Sequence, residues 1–210
     1  MPYPFLKRFV DIVGAVVCLA LASPIFLISA IAIKIDSRGP IFADTPARVG
    51  KGSKLFKLYK FRSMVKNAHK LLKKDLKIYD HYKKNNFKIK TDSDPRITRV
   101  GKILRKTSID EIPQFINILK GEMSLVGPRA FYVEELAEQQ KRFPETRELV
   151  KISLTVKPGL SGPWQVSGRS AVDFPDRIKL DAEYAKKKSF LTDMVILIKT
   201  IPAVLKGEGN

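Results

Sequence analysis

The sequence predicts an α+β protein, mostly helical, in which an N-terminal apolar helix broken at a Ser-Pro step precedes a small basic domain. Three observations carry that reading. Residues 12 to 33 contain no charged side chain. Beyond residue 36, short β-like stretches are interspersed with helical patterns. Thirty-nine lysines and arginines against 21 aspartates and glutamates leave a formal net charge of +18. With 210 residues, 44% of them hydrophobic, the chain can bury a core and is too apolar to be disordered. The expected division is 1–36 for the membrane segment and 37–210 for the domain.

The apolar run comes first. Its 22 residues, Ile12 to Ile33, form a helix long enough for the roughly 30 Å of a bilayer core. A signal peptide has a shorter apolar centre. Ser23-Pro24 stands in the middle of the run. Proline removes one helical hydrogen bond and disfavours helix in the residue before it, which predicts two half-helices. The Ser23 hydroxyl can relieve part of that cost by bonding to nearby backbone. Lys7 and Arg8 precede the run, and Lys34 and Arg38 follow it. The positive-inside rule would keep both flanks in the cytoplasm, as in a re-entrant hairpin. An ordinary kinked span is the alternative, because membrane helices tolerate proline.

The remaining elements follow in order. IFADTPARVG (41–50) is strand-like, with glycines at its end. KLFKLYKFRSM (54–64) alternates imperfectly and reads as a strand. Nine lysines between Lys66 and Lys90, against Asp75 and Asp80, predict a solvated helix and loop or a surface held against anionic lipid. A helix is expected over about Arg96 to Arg105, and another over about Ile109 to Leu119. Residues 150 to 168 read as a strand and a Gly/Pro-rich loop. Asp176 to Leu205 reads as one or two helices. Their apolar face, near Phe190 to Ile198, suits either the membrane interface or the core.

Composition excludes several classes of chemistry. The single cysteine, Cys18, rules out disulfide scaffolds and Cys-rich metal sites. Two histidines are too few for a His-based zinc centre. There is no GxxxxGK[ST] loop, and no GxGxxG between a strand and a helix. The high positive charge calls for an anionic partner. No helix-turn-helix, OB or RRM signature accompanies it, so nucleic acid is not expected.

The richest segment is SDPRITRVGKILRKTSIDEIPQFINILKGEMSLVGPRA (93–130). Ser108-x-x-Glu111 matches a capping box, with Asp110 and Glu111 in the first helical turn. That alone is a sufficient structural explanation of the pair. Yet Arg96, Arg99, Lys102, Arg105 and Lys106 precede it, and Arg129 follows in a rigid turn. Guanidinium groups match phosphate geometry, and carboxylates among them suit phosphoryl chemistry. One carboxylate can attack phosphorus, and the pair can hold Mg²⁺.

These motifs together resemble the bacterial sugar transferase family, the monotopic phosphoglycosyl transferases in minimal catalytic form. The likeness rests on LKRFVDIVGAVVCLALASPIF, KLYKFRSM, SDPRITRVGKILRKTSIDEIPQ, NILKGEMSLVGPR, VKPGLSGPWQVSGR and LDAEYAKKKSFLTDMVILIKT. It implies transfer of a sugar 1-phosphate from a UDP-sugar to polyprenyl (undecaprenyl) phosphate, with release of UMP, at the start of glycan assembly. It also implies Mg²⁺ and a ping-pong route through a phosphosugar intermediate on Asp110, with Glu111 in the same dyad. Asp110 and Glu111 are also the implied metal ligands. Lys60, Arg62, Arg105 and Arg129 match phosphate-binding cations; Arg169 and Asp181 match recurrent positions of less defined role. Ser23-Pro24 matches the break of a re-entrant membrane helix, with the catalytic domain on the cytoplasmic face of the bacterial inner membrane. Membrane lipids are then a partner, and a homo-oligomer is left open. Ala130 departs from a frequent proline, and Lys157 from a frequent arginine. Trp164 is either core or a stacking platform. The competing readings are a membrane-anchored basic binding protein and a scaffold without catalysis.

Overall fold

A computed structural model of the chain describes residues 2–85, 87, 89, 91–167 and 172–205. Helix α1, Tyr3–Asp36, is long and apolar enough to cross a membrane. The expected division at Ser23-Pro24 is absent, and α1 runs through it as one helical element. The reason is local. Pro24 has no N–H for the carbonyl of Ala20 four residues back, and the Ser23 hydroxyl donates to that carbonyl instead, at 2.8 Å.

One face of α1 packs along the domain. Asp11, Ala15, Ser29 and Ile33 are buried, at helical spacing. The opposite face exposes Leu21, Leu27, Ile28, Ile31 and Ile35, each more than half accessible. Both ends of α1 are tied to the same domain. Near the N-terminus, Asp11 Oδ1 accepts from Ser124 Oγ and from the Leu125 amide, both at 2.9 Å. Near the C-terminus, Phe26 and Ile33 pack with Phe61 and Leu104.

Two small sheets organise the domain. Strands β1, Arg48–Val49, and β2, Leu55–Phe56, pair antiparallel, so only a fragment of each predicted strand forms a ladder. The chain from Leu58 to Met64 stays extended, with single bridges from Phe42 to Phe61 and from Met64 to Ile97. The lysine-rich stretch makes two short helices, α2, Ala68–Lys74, and α3, Leu76–Lys84. Helix α4, Arg99–Lys106, starts three residues later than expected because Thr98 caps it, accepting from the Gly101 amide at 3.0 Å.

The capping box predicted at Ser108 does not form. Ser108 adopts a left-handed conformation and its side chain caps nothing. Ile109–Glu111 is a 3₁₀ turn, and helix α5, Gln114–Leu119, begins only after Pro113. Arg8 donates to the carbonyls of Ile118 and Leu119 at the end of α5, at 2.6 and 2.8 Å.

Strand β3, Ser124–Val126, pairs parallel with β4, Gly159–Ser161. Between them lie α6, Val133–Arg142, and α7, Arg147–Ser153. Residues 150–153, expected as strand, are therefore helical; Val150 packs with Phe174 and Ile178 in the core. Gly127 and Gly159 allow the close approach beside β3 and β4. A Cβ on Gly159 would lie 2.1 Å from the Gly127 nitrogen. Helix α8, Pro163–Val166, is a single turn.

The C-terminal segment is two helices, α9, Phe174–Lys187, and α10, Phe190–Leu205. Helix α10 divides its apolar residues. Ile196 packs with Val126 and Tyr184, while Leu191, Val195, Ile198 and Ile201 are exposed. Buried Asp193 joins α10 to its neighbours: it accepts from Lys7 Nζ at 2.8 Å, Tyr3 at 3.0 Å and Tyr184 at 2.6 Å. Lys7 also donates to the Val126 carbonyl at 3.0 Å, and the Tyr184 hydroxyl lies 3.1 Å from the same oxygen.

Candidate active site

Lys60 brings Asp110 and Glu111 together. Its ammonium lies 2.9 Å from Asp110 Oδ2 and 3.1 Å from Glu111 Oε1. Backbone structure sets this geometry. The Phe61 amide donates to the Asp110 carbonyl at 2.9 Å, which fixes the extended 58–64 segment against the 3₁₀ turn. Phe61 is fully buried with Ile33 and Leu104, so the residue beside Lys60 is anchored in the core.

The two carboxylates differ in setting. Asp110 is buried, whereas the Glu111 side chain is 42% exposed. Burial pushes the Asp110 carboxyl up from its usual range; the Lys60 charge opposes this, and Glu111 adds to it. For Glu111, desolvation also favours the neutral acid, but the Lys60 charge and hydrogen bond, then Arg129 and Arg48, outweigh it and hold the group down. Burial disfavours the Lys60 ammonium, yet Asp110 and Glu111 overcome that and raise it. The site thus places a buried carboxyl against a lysine ammonium that the two carboxylates stabilise.

Arg105 and Arg129 flank this group. Arg105 Nε donates to Ser63 Oγ at 2.9 Å, and its charge acts on both Lys60 and Asp110. Arg129 lies over the rings of Trp164 and Phe131, 5.3 and 5.6 Å from their centroids, and reaches Glu135 at 3.6 Å. Two backbone ties hold its turn without the frequent proline at 130. The Arg129 amide donates to Asp181 Oδ2 at 3.1 Å, and the Ala130 carbonyl accepts from Arg48 Nη1 at 2.9 Å.

Arg62 is placed differently. Its Nε donates to the Pro40 carbonyl, and its Nη atoms to Ser37 Oγ and the Ser37 carbonyl, at 2.6, 2.6 and 2.8 Å. No ion pair joins it to Asp110 or Glu111; the C-terminal end of α1 takes its donors. Asp181 lies behind the site on α9, fully buried. Burial raises its carboxyl to about 7 against the opposing Arg129 amide and the Arg177 and Arg129 charges. Arg169 lies outside the described residues.

Three residues escape sequence reading. Arg48 stacks on Tyr132, with its guanidinium carbon 3.3 Å from the ring centroid. Arg177 lies over Trp164 at 4.7 Å, and burial lowers it to about 10. Glu135 is buried beside Arg129. Arg48 precedes the first core valine of β1 and looks like an ordinary surface arginine; only the pairing to 130–132 brings it inward. Trp164 itself is buried.

Among the described residues, no group of three or more His, Cys, Asp or Glu could hold a metal. The Asp110-Glu111 pair still suits Mg²⁺. That ion commonly takes one or two carboxylates and completes its shell with phosphate oxygens and water. Glu111 is open enough to share such an ion with a ligand.

The family model for bacterial sugar transferase matches residues 2–207. An undecaprenyl-phosphate galactose phosphotransferase of Salmonella typhimurium is 43% identical over 208 residues, covering 98% of this chain and 41% of that protein. A galactosyl transferase, CpsE, of Streptococcus agalactiae is 41% identical, covering 97% of this chain and 43% of its own length. The exopolysaccharide production protein ExoY of Rhizobium meliloti is 38% identical, covering 97% and 87%. The chain thus spans less than half of the first two. The match extends from the apolar helix through the carboxylate pair to α10, and on that extent the chain belongs to the bacterial sugar transferase family.

Proposed function

We propose that this chain transfers a sugar 1-phosphate from a UDP-sugar to polyprenyl (undecaprenyl) phosphate and releases UMP. The observation that carries the reading is buried Asp110 held 2.9 Å from Lys60, beside Glu111 and within reach of the Arg105 and Arg129 charges. That arrangement suits attack on phosphorus. A carboxylate oxygen of Asp110 forms a bond to the β-phosphorus, and the bond from that phosphorus to the bridging oxygen breaks. The electron pair leaves on UMP. An oxygen of polyprenyl phosphate then attacks the same phosphorus and returns Asp110 to its free carboxylate. The route is ping-pong, and its first product needs no acceptor.

Each residue has a task in this scheme. Lys60 opposes the burial that favours neutral Asp110 and, with Arg105, offsets charge that builds on the transferring phosphoryl oxygens. Arg129 binds phosphate of the donor, its guanidinium kept in place by Trp164 and Phe131. Asp110 and Glu111 would hold Mg²⁺, which supplies neutralisation of phosphate charge. Arg62 supports the site by securing α1 to the segment that carries Lys60.

We place the chain on the cytoplasmic face of the bacterial inner membrane, with α1 as a re-entrant, monotopic segment. The ties from both ends of α1 to the same domain support this reading over a crossing helix. The exposed apolar faces of α1 and α10 would meet lipid, at the level where polyprenyl phosphate presents its headgroup.

Nucleotide analysis tests the chemistry. In detergent with Mg²⁺, polyprenyl phosphate and a panel of UDP-sugars, the chain should release UMP with at least one donor. Release of UDP instead would mean ordinary glycosyl transfer and would overturn the reading.

A further inference from the structure

Arg48 is a buried cation that forms no ion pair among the described residues. It is 9% exposed, and no described Asp or Glu lies within ion-pairing distance. Its Nη1 donates to the Ala130 carbonyl, while its Nε–H is buried with no hydrogen-bond partner among the described residues. The ring of Tyr132 covers one face of the guanidinium at 3.3 Å. Stacking and one carbonyl only partly offset the cost of burying a whole positive charge. Such a group is poised for an anion.

Its position says which anion. Arg48 bridges to Tyr132, and the adjacent Val49 amide donates to the Phe131 carbonyl at 2.9 Å. Strand β1 is therefore stitched to the residues that directly follow Arg129. Arg129 is also a poorly matched cation: among the described residues its Nε has no hydrogen-bond partner, and its ion pair with Glu135 is long, at 3.6 Å. Both guanidinium charges act on Glu111, whereas the Arg105 charge acts on Asp110 and Lys60. Two neighbouring arginines, each with unused donors and a shared backbone tie, match the spread charge of a diphosphate better than a single phosphate.

We infer that Arg48 is a second guanidinium for the donor's diphosphate, closing on it together with Arg129 from the Glu111 side of the carboxylate pair. The inference rests on the donor being a nucleoside diphosphate sugar, as proposed above. Arg48 would act in binding the donor rather than in bond breaking. Its loss should then raise KM for the donor and leave kcat at saturation close to that of the unaltered chain.

The test is UDP binding by calorimetry at fixed Mg²⁺ in detergent, on the unaltered chain, Arg48→Gln and Arg48→Lys. Near-UV circular dichroism from Trp164, the sole tryptophan, monitors the fold. The expected result is UDP affinity about tenfold or more weaker in Arg48→Gln and weakened less in Arg48→Lys, with donor KM following and kcat within about threefold. If Arg48→Gln fails to fold, Arg48→Lys decides alone: UDP affinity reduced about threefold or more supports the inference. A folded variant that binds UDP as tightly as the unaltered chain overturns it. A chain that binds UDP but releases no UMP from any donor overturns the transfer reading, while the affinity comparison still decides the role of Arg48.

Discussion

The ion pair between Lys60 and Asp110 spans 2.9 Å and joins a buried acid to a base that also reaches Glu111 at 3.1 Å. Burial drives Asp110 towards its neutral form, and Lys60 is the main force against that. A nucleophilic carboxylate must be ionised, so activity should fall as pH drops through the Asp110 value. Replacing Lys60 with Met removes the opposing charge and moves that value higher. The acid limb of the kcat/KM profile should shift to higher pH, with a loss at neutral pH of about a hundredfold, on the scale of one catalytic electrostatic contact. A profile with an unmoved acid limb would separate Lys60 from Asp110 ionisation.

Asp181 gives a second pH signature, in stability. Its carboxyl titrates near 7 when folded and near 3.8 when unfolded. Between those values the folded state holds the extra proton, so stability falls as pH rises from about 4 to about 7 and the cost is complete above that. Asp181→Asn keeps an oxygen for the Arg129 amide and removes the titration. The variant's melting temperature should vary less over that window than the unaltered chain's. The maximum effect is roughly 4 kcal/mol. Parallel melting curves for the two proteins across pH 4 to 8 would contradict this.

Helix α1 makes a topological prediction. With Cys18 replaced by Ser, a cysteine placed at Pro4 and another placed at Arg38 should both react with an impermeant maleimide from the cytoplasmic side of membrane vesicles. Labelling from opposite sides would establish a kinked span. Ser23→Ala should weaken α1 by about 1 kcal/mol, because the Ala20 carbonyl loses its donor.

The β3–β4 pair tolerates no side chain at its crossing. Gly159→Ala would drive a Cβ to 2.1 Å from the Gly127 nitrogen and 2.2 Å from the Ser161 carbonyl oxygen. Backbone on both sides cannot yield cheaply, so a loss of about 3 kcal/mol or more is expected, read as a lowered melting temperature. An unchanged melting temperature would mean that the two strands are not held this closely.

The sequence makes α1, α4, α9 and α10 legible because each has a long apolar face or a clear cap. It misleads at Ser108, where the capping-box pattern is present but Pro113 delays the helix and the preceding turn is 3₁₀. It misleads at 150–153 because Val150, Ile152, Leu154 and Val156 alternate with polar residues at a strand period, while tertiary packing of Val150 holds Arg147–Ser153 as helix. Residues 131–149, unassigned from sequence, form α6 and the start of α7. Lys60, Asp110 and Glu111 are near in motif order and in space, so motif reading finds them. Arg62 shares a motif with Lys60, two residues away, but Ser37 and Pro40 beyond the C-terminal end of α1 take its guanidinium. Arg48 and Arg177 carry no local signal, since tertiary pairing alone buries them.

Asp110 is expected to receive the phosphosugar before any acceptor is present. The direct measurement is a single turnover with a UDP-sugar donor and Mg²⁺ but no polyprenyl phosphate, following UMP release and the intact mass of the protein. The expected result is UMP up to one equivalent per chain, a mass gain equal to the phosphosugar, and neither signal in Asp110→Asn. UMP that appears only when polyprenyl phosphate is added, with no mass gain at any time, would contradict it.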